Sequence, residues 1–354
     1  MSSNAIFILD TSNGGHHKLY FNTLKENILN ADFDIVYLKN SKNKVSSIIS
    51  RFGYLRMLIK KSKKYQIIHQ LYGDPFYILA PFFLTSRNLK HFVFTIHHLP
   101  KNKLKMYLLK MFSKRIKLIL VHSEYSKNVM LENKINNVKY IDYPSFYRYD
   151  QQKNNIFYSK NKTIVTLLGG TRYDKGIDIF LKSLEYLNSA TKEKMFVNIK
   201  GPEEYFKKDY ITNSLDKLKV EYDLDLNYIS DEDFMSNVES SDVILLPYRR
   251  IFNGNSGPMT EGVVREKCII GPKEGNLGFL INKYNLGYTF ESENPKSLAK
   301  AIETYCENGW KPSKRSKEYR EKLKVDYFIK AHRELYREIN RLEEPKWKPH
   351  SSQE

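Results

Sequence analysis

The chain has 354 residues, with 58 Lys+Arg against 40 Asp+Glu and a formal net charge of +18. At roughly 100–200 residues per domain, that length suits about two domains, each with its own core. Hydrophobic residues at 41% and aromatics at 14% exclude a disordered chain, and two cysteines, Cys268 and Cys306, exclude a disulfide scaffold or a Cys-rich zinc site.

In chain order, β-rich runs alternate with amphipathic stretches. The first half predicts strands at Ala5–Leu9, Phe33–Leu38, Gln66–Gln70, Phe92–Ile96, Leu118–Val121 and Val138–Ile141, with helices such as Leu19–Leu29, Lys103–Phe112 and Ser126–Glu132 between them. The second half predicts strands at Thr163–Leu168, Phe196–Lys200, Leu226–Ile229, Val243–Leu246, Cys268–Ile270 and Tyr288–Phe290. Its predicted helices include Gly176–Leu187, Asp231–Val238, Gly257–Glu266 and Pro295–Glu307, followed by Ser313–Lys322 and Val325–Leu342. Strands separated by helices imply βαβ units and parallel sheets, so the expectation is α/β with two doubly wound domains. The polar, Asn-rich stretch 150–162 marks the linker, which sets domains at 1–155 and 156–325, with 326–354 a C-terminal helix returning to the first domain and a frayed tail.

No apolar run approaches the roughly 18–20 residues a bilayer needs. The N-terminus lacks the basic and long apolar regions of a signal peptide. Few cysteines suit a reducing compartment. The expectation is a cytoplasmic protein, soluble or peripheral on the inner face of the cell membrane. Charge is unevenly placed: residues 1–160 carry 26 basic and 9 acidic side chains, residues 161–354 carry 32 and 31. A basic first domain suits a polyanion or an anionic surface; a charge run solvated for solubility is the alternative.

Four segments could carry chemistry. In "LDTSNGGHH", Gly14 and Gly15 follow a strand and precede a helix, where glycine lets backbone N–H groups approach a phosphate or serves an ordinary turn. "FVFTIHHLP" puts His97 at the C-terminal end of a strand, the edge where open α/β sheets bind ligands. His97 and His98 are adjacent, so their rings diverge, and no carboxylate accompanies them in the sequence; no metal site is expected. "LLGGTRYDKGIDIF" runs from a strand into Gly170, Arg172 and Lys175 at a helix start, cations beside a Gly-rich turn that suit a diphosphate. The order is not that of a Walker A loop. In "LLPYRRIFNGNSGPMTEGVV", Ser256 is the predicted N-cap of a helix whose first residues, Gly257, Pro258, Met259 and Thr260, point backbone groups at an anion. Glu261 follows within its first turns.

The ordered set of these segments resembles the retaining nucleotide-sugar glycosyltransferases of family four, which have the GT-B fold: two Rossmann-like domains facing across a cleft. "GGTRYDKGIDIFLKSL" resembles that family's G-R-x-R-x-x-K-G segment, and "SGPMTEGVVREKCIIGP" its S-G-x-x-x-E-A-x-A-x-G-x-P-V-I segment. "YISDEDFMSNVESSDVILLPY", "TIHH" and "LVHSEYSKNVM" resemble further pieces, so the likeness spans roughly residues 4–340. It implies that Lys175 binds the donor diphosphate, Glu261 the ribose, Gly15 the donor phosphate and His97 the transferred sugar. Asn253 stands eight residues before Glu261, where the family has the first Glu of its Glu-x7-Glu motif, and Gly170 stands where it has its first Arg. Asn can hydrogen-bond but brings no charge, and Arg172 is positioned to supply the cation.

The resemblance implies a metal-independent transfer, with retention, from a UDP- or GDP-sugar to a glycan or lipid-linked acceptor, in bacterial-type surface polysaccharide or glycoconjugate synthesis. No cofactor is expected, because the nucleotide sugar is a substrate. A non-catalytic GT-B protein that binds sugar nucleotides or glycans is the alternative. The basic amphipathic stretches "YLRMLIKKSKKYQ" and "PKNKLKMYLLKMFSKRIK" of the acceptor-side domain suit an anionic membrane surface, or equally helices packed by their apolar face. No nucleic-acid motif is present, and no specific nucleic-acid partner is expected.

Overall fold

The computed structural model describes residues 6–11, 16–38, 44–83, 89–147 and 161–341. The chain divides into two units, Met1–Ile141 with Asp326–Glu354, and Asp142–Val325.

The first unit runs β1 (Ile6–Asp10), α1 (His16–Asn27), β2 (Ala31–Ile35), α2 (Lys44–Lys61), β3 (Ile67–Gln70), a 3-10 segment (Tyr77–Phe83), β4 (Phe92–Ile96), α3 (Lys103–Ser113), β5 (Leu118–Val121), α4 (Glu124–Glu132) and β6 (Val138–Tyr140). Its strands pair in parallel in the order β2-β1-β3-β4-β5-β6. Helices between parallel strands cover both faces of the sheet, so β3, β4 and β5 are buried along their length and read as near-continuous apolar runs. Aromatic packing fills the core, with Phe94 edge-on to Phe112 at 5.0 Å between centroids. Helix α4 starts two residues before its expected position because Ser123 caps it, accepting the Ser126 N–H at 3.1 Å.

The second unit runs β7 (Thr163–Leu168), α5 (Ile177–Ser183), α6 (Ser189–Lys194), β8 (Met195–Lys200), α7 (Lys208–Lys217), β9 (Glu221–Asp225), α8 (Asp231–Ser240), β10 (Val243–Leu245), α9 (Gly257–Val264), β11 (Cys268–Pro272), α10 (Gly275–Tyr284), β12 (Gly287–Phe290), α11 (Pro295–Asn308) and α12 (Lys314–Lys322). All its strand pairs are parallel, in the order β12-β11-β10-β7-β8-β9. The order reverses between β7 and β10, and the carboxyl ends beside such a switch point are where ligands of open α/β sheets bind.

One strand lies elsewhere than the sequence predicts. The strand expected at Leu226–Ile229 is β9, Glu221–Asp225. Among the described residues it is an edge strand paired to β8 alone, with acidic residues at alternate positions, so its apolar signal is weak. Leu226, just beyond it, packs against the core and shifts the apolar signal past the strand. Gly176 is also not helical: its φ of +64° makes it the left-handed N-cap of α5.

The last helix, α13 (Val325–Arg341), returns to the first unit. Its buried His332 bonds the Tyr20 hydroxyl at 3.0 Å, and its Tyr336 hydroxyl meets His69 Nδ1 at 2.6 Å. Among the described residues no helix is long and apolar enough to cross a membrane.

Candidate active site

At the switch point of the second unit, a cavity is lined by residues that include Leu168, Gly169, Gly170, Lys175, Pro247 and Tyr248. The chain leaves β7 through Gly169, at φ +103°, and the Gly169 N–H donates to the Lys200 carbonyl at 2.9 Å. Gly201, at φ +134°, packs directly on Gly169, and a Cβ there would lie 2.6 Å from the Gly169 backbone. Gly176 is equally constrained: a Cβ would lie 2.1 Å from the Pro247 carbonyl oxygen. Glycine is needed at these two positions because two strand-end loops meet backbone to backbone.

Lys175 is held by this junction. Its ammonium donates to the Tyr248 hydroxyl and sits 4.0 Å from the Tyr248 ring centroid and 5.4 Å from that of Phe252. Tyr248 is buried, and its hydroxyl lies 3.2 Å from Ser256 Oγ. Ser256 caps α9 by accepting the Met259 N–H at 3.4 Å. Lys175, Tyr248 and Ser256 therefore form one chain that sets a cation beside a helix N-terminus with no acidic residue in its first turn. Both features favour an anion.

The first turn of α9 offers fewer donors than its sequence suggests. Pro258 has no N–H, Met259 N–H goes to the Ser256 side chain, and Thr260 N–H goes to the Ser256 carbonyl at 2.9 Å. The turn's own bonds leave the Gly257 N–H for an anion.

Arg172 is half-exposed and already bidentate to Asp174, with both N···O distances 2.9 Å. That pairing holds the Asp174 carboxyl below the usual carboxylate range. Gly170 sits under a carboxylate: a Cβ built on it would lie 1.9 Å from Glu204 Oε1. Glu204 is itself anchored, its N–H donating to Thr171 Oγ1 at 2.8 Å. Asn253 is half-buried in the loop before α9.

Glu261 is buried at 4% exposure, which pushes its carboxyl up from the usual range. The opposing pull comes from Ser145 Oγ, donating to Oε2 at 2.7 Å, and Arg265 Nη1, donating to the same oxygen at 2.8 Å. Arg265 lies one turn on along α9, the spacing that brings side chains together on a helix.

In the first unit, His97 follows β4. Its Nε2 lies 2.7 Å from the Leu71 carbonyl, an acceptor only, so Nε2 carries the proton. Burial and the neighbouring His122, 4.9 Å away ring to ring, lower its pKa to about 3, so it is neutral at pH 7. Asp74 accepts the backbone N–H of His97 at 3.0 Å and meets the His98 ring at 3.1 Å. Gly14 and Gly15 lie outside the described residues. Among the described residues no group of three or more His, Cys, Asp or Glu is placed to hold a metal ion.

Residues 148–323 match the family described as Glycosyl transferases group 1. That segment is a glycosyltransferase domain of this family. The fold agrees: HepE from Anabaena, solved with UDP, superposes with a TM-score of 0.69 at 13% identity, over 94% of this chain and 99% of that one. Sucrose-phosphate synthase from Thermosynechococcus elongatus superposes with a TM-score of 0.70 at 14% identity, over 95% and 99%. A glycosyltransferase from Rickettsia africae does so with a TM-score of 0.66 at 18% identity, over 98% and 100%. No curated protein is significantly similar in sequence. The two Rossmann-like units are those of the GT-B fold.

Within this glycosyltransferase, the structure brings together Gly170, Arg172, Lys175, Ser256 and Gly257 through the strand ends of β7 and β10. Sequence reasoning missed Tyr248, although an aromatic at the end of a buried strand is a visible signal. It also missed Asp10, buried at the end of β1, whose Oδ2 lies 3.1 Å from His17 Nδ1 and whose Oδ1 accepts the Thr11 N–H at 2.6 Å. The approach of Glu204 to Gly170 had no sequence signal at all.

Proposed function

We propose that this glycosyltransferase moves a sugar from a nucleotide-diphosphate donor to a glycan or lipid-linked acceptor, with retention and without a metal, in bacterial-type surface polysaccharide or glycoconjugate synthesis. The observation that carries the reading is Lys175, fixed on Tyr248 beside the Ser256-capped helix at the switch point. As the sugar leaves, its anomeric carbon gains oxocarbenium character and the diphosphate gains negative charge. The Lys175 ammonium and the Gly257 N–H stabilise that charge without reorganising. Arg172 contributes to the extent that the diphosphate displaces Asp174. Glu261, with both its bonds on Oε2, keeps Oε1 for a ribose hydroxyl, since a carboxylate has about four lone-pair sites. His97 is assigned to the transferred sugar as a neutral hydrogen-bonding group. An acceptor hydroxyl bonds the anomeric carbon on the face from which the nucleoside diphosphate departs with the electrons of the broken C–O bond. Its proton passes to the departing phosphate oxygen, and no protein nucleophile takes part.

UDP is the first donor base to test, since HepE has been solved with UDP-glucose; GDP is the second. Thermal-shift screening against nucleoside diphosphates and their sugars reads donor binding by mass action. A stabilising nucleotide whose effect is lost in Lys175→Ala is the expected result. Stabilisation that survives Lys175→Ala and Glu261→Ala removes the site assignment. A second reading, a GT-B protein that binds without transferring, is favoured by Asn253 in place of a carboxylate and by Glu204 over Gly170. Nucleotide release measured on the same donors separates the two.

A further inference from the structure

Between Asp34 and Glu124 the chain carries 18 Lys and Arg and one acidic residue, Asp74, whose carboxylate is taken by His97 and His98. This interval accounts for the first unit's charge, and it also exposes large apolar side chains. On α2, Ile48 is 39%, Ile49 65% and Phe52 37% exposed. Phe52 meets Phe82 of the 3-10 segment at 6.2 Å between ring centroids, and Phe82 is itself 64% exposed. Helix α3 packs against the same segment and presents Leu104 at 68% and Tyr107 at 59% exposure. Phe52 and Phe82 are in ring contact, and Leu104 and Tyr107 stand on the helix packed against the same segment, so exposed apolar side chains collect on three neighbouring elements.

Exposed lysines flank these side chains. Lys101, Lys103 and Lys105 are exposed around Leu104, and among the described residues none has a carboxylate partner. They also sit at the start of α3, which has no acidic residue in its first turn, so each opposes the helix dipole. On α2, exposed Arg56 and Lys60 continue along the solvent face below Phe52. Helix stability explains neither the lysines at an N-terminus nor the isoleucines in water. The buried face of α2 is separate, formed by Tyr54, Leu55 and Leu58.

We propose that this face, formed by Ile48, Ile49, Phe52, Phe82, Leu104 and Tyr107 with its rim of lysines, docks the protein on an anionic membrane surface. Apolar side chains enter the acyl boundary while lysines stay at the headgroups, the division of labour of interfacial helices. A second copy of the chain fits poorly, because the rims carry the same charge. A nucleic acid would engage the lysines and the aromatics and leave Ile48, Ile49 and Leu104 in water. The inference does not depend on sugar transfer, since vesicle binding and nucleotide binding are read separately.

The test is co-sedimentation of the full chain with vesicles of phosphatidylglycerol and phosphatidylcholine, and with phosphatidylcholine alone, at low and high salt. Wild type is expected to bind the anionic vesicles at low salt. Lys101→Glu/Lys103→Glu/Lys105→Glu should weaken that binding about a hundredfold. Phe82→Ser/Leu104→Ser/Tyr107→Ser should weaken it at least about tenfold. A control, Lys208→Glu/Lys217→Glu/Lys300→Glu in the second unit, should change it less than about twofold. UDP-induced stabilisation should be the same in all three variants. Three results overturn the proposal: no binding of wild type to anionic vesicles, undiminished binding by both face variants, or an apolar variant whose only change is in oligomeric state by light scattering.

Discussion

Lys175 and Tyr248 are 73 residues apart, yet the ammonium donates to the phenol oxygen and sits 4.0 Å from the centre of the same ring. The cation is thereby placed before any ligand arrives, and little side-chain entropy remains to be lost on binding. On the proposed reading, this prearrangement is what suits a Lys in a loop to a diphosphate.

Two variants separate the charge from its placement. Lys175→Ala should weaken nucleoside-diphosphate binding by about 2–3 kcal/mol, the value of a charge-assisted contact. Tyr248→Phe keeps the ring under the cation but removes the hydroxyl that links it to Ser256. It should cost about 1 kcal/mol, or roughly fivefold in Kd. Isothermal titration with UDP and GDP reads both; equal losses would mean that the hydroxyl, and not the charge, governs the site.

Gly170 stands where the resembled family has Arg, and Glu204 stands over it. Gly170→Arg alone should change donor affinity by less than about threefold, because the new guanidinium pairs with Glu204 in place of the diphosphate. Combined with Glu204→Ala it should tighten donor binding about tenfold. The comparison of the single and double variants checks that Glu204 offsets the charge of this site.

Glu261 and Arg265 form a buried pair, at 5% and 2% side-chain exposure. Arg265→Ala leaves the carboxylate buried without its cation and should destabilise the second unit by about 3–5 kcal/mol. Glu261→Gln retains an acceptor for Ser145 and should cost less, about 1–3 kcal/mol. Urea denaturation measures the difference. The proposed ribose contact is read separately, as weaker nucleotide binding in Glu261→Gln at a temperature where the variant is fully folded.

Buried histidines make the first unit sensitive to acid. Burial pushes His69 well below its ordinary value, His122 to about 3 and His332 to about 4. The unfolded chain binds these protons near pH 6.5 while the folded chain does not, so the stabilisation is complete above pH 6.5 and is lost as pH falls toward 4. Each of the three contributes a slope of up to about 1.4 kcal/mol per pH unit in that window. Denaturation midpoints at pH 7, 6 and 5 should fall progressively. His332→Phe should flatten the fall while lowering the midpoint at pH 7, because the His332–Tyr20 hydrogen bond is lost.

Local patterns in the chain were enough for two parallel-sheet units, because fully buried strands such as "LILV" and "FVFTI" read as unbroken apolar runs and helices as periodic ones. They were also enough for the loop bearing Lys175 and for the Ser256 cap, since glycine placement and capping chemistry are local. Strand β9 escaped them because an edge strand has one partner and a weak apolar signal.

What joins distant residues was decided by tertiary structure alone. Sheet order puts β10 beside β7 and so brings Tyr248 to Lys175; the β8 end returns Gly201 to Gly169 and Glu204 to Gly170. The same holds for α13, whose His332 reaches Tyr20 across 312 residues. Periodicity records which face of an element is buried but not which neighbour covers it. The lysines and apolar residues of α2 and α3 are plain in the sequence; that Phe52 meets Phe82 and that α3 packs against the same 3-10 segment was decided by the fold.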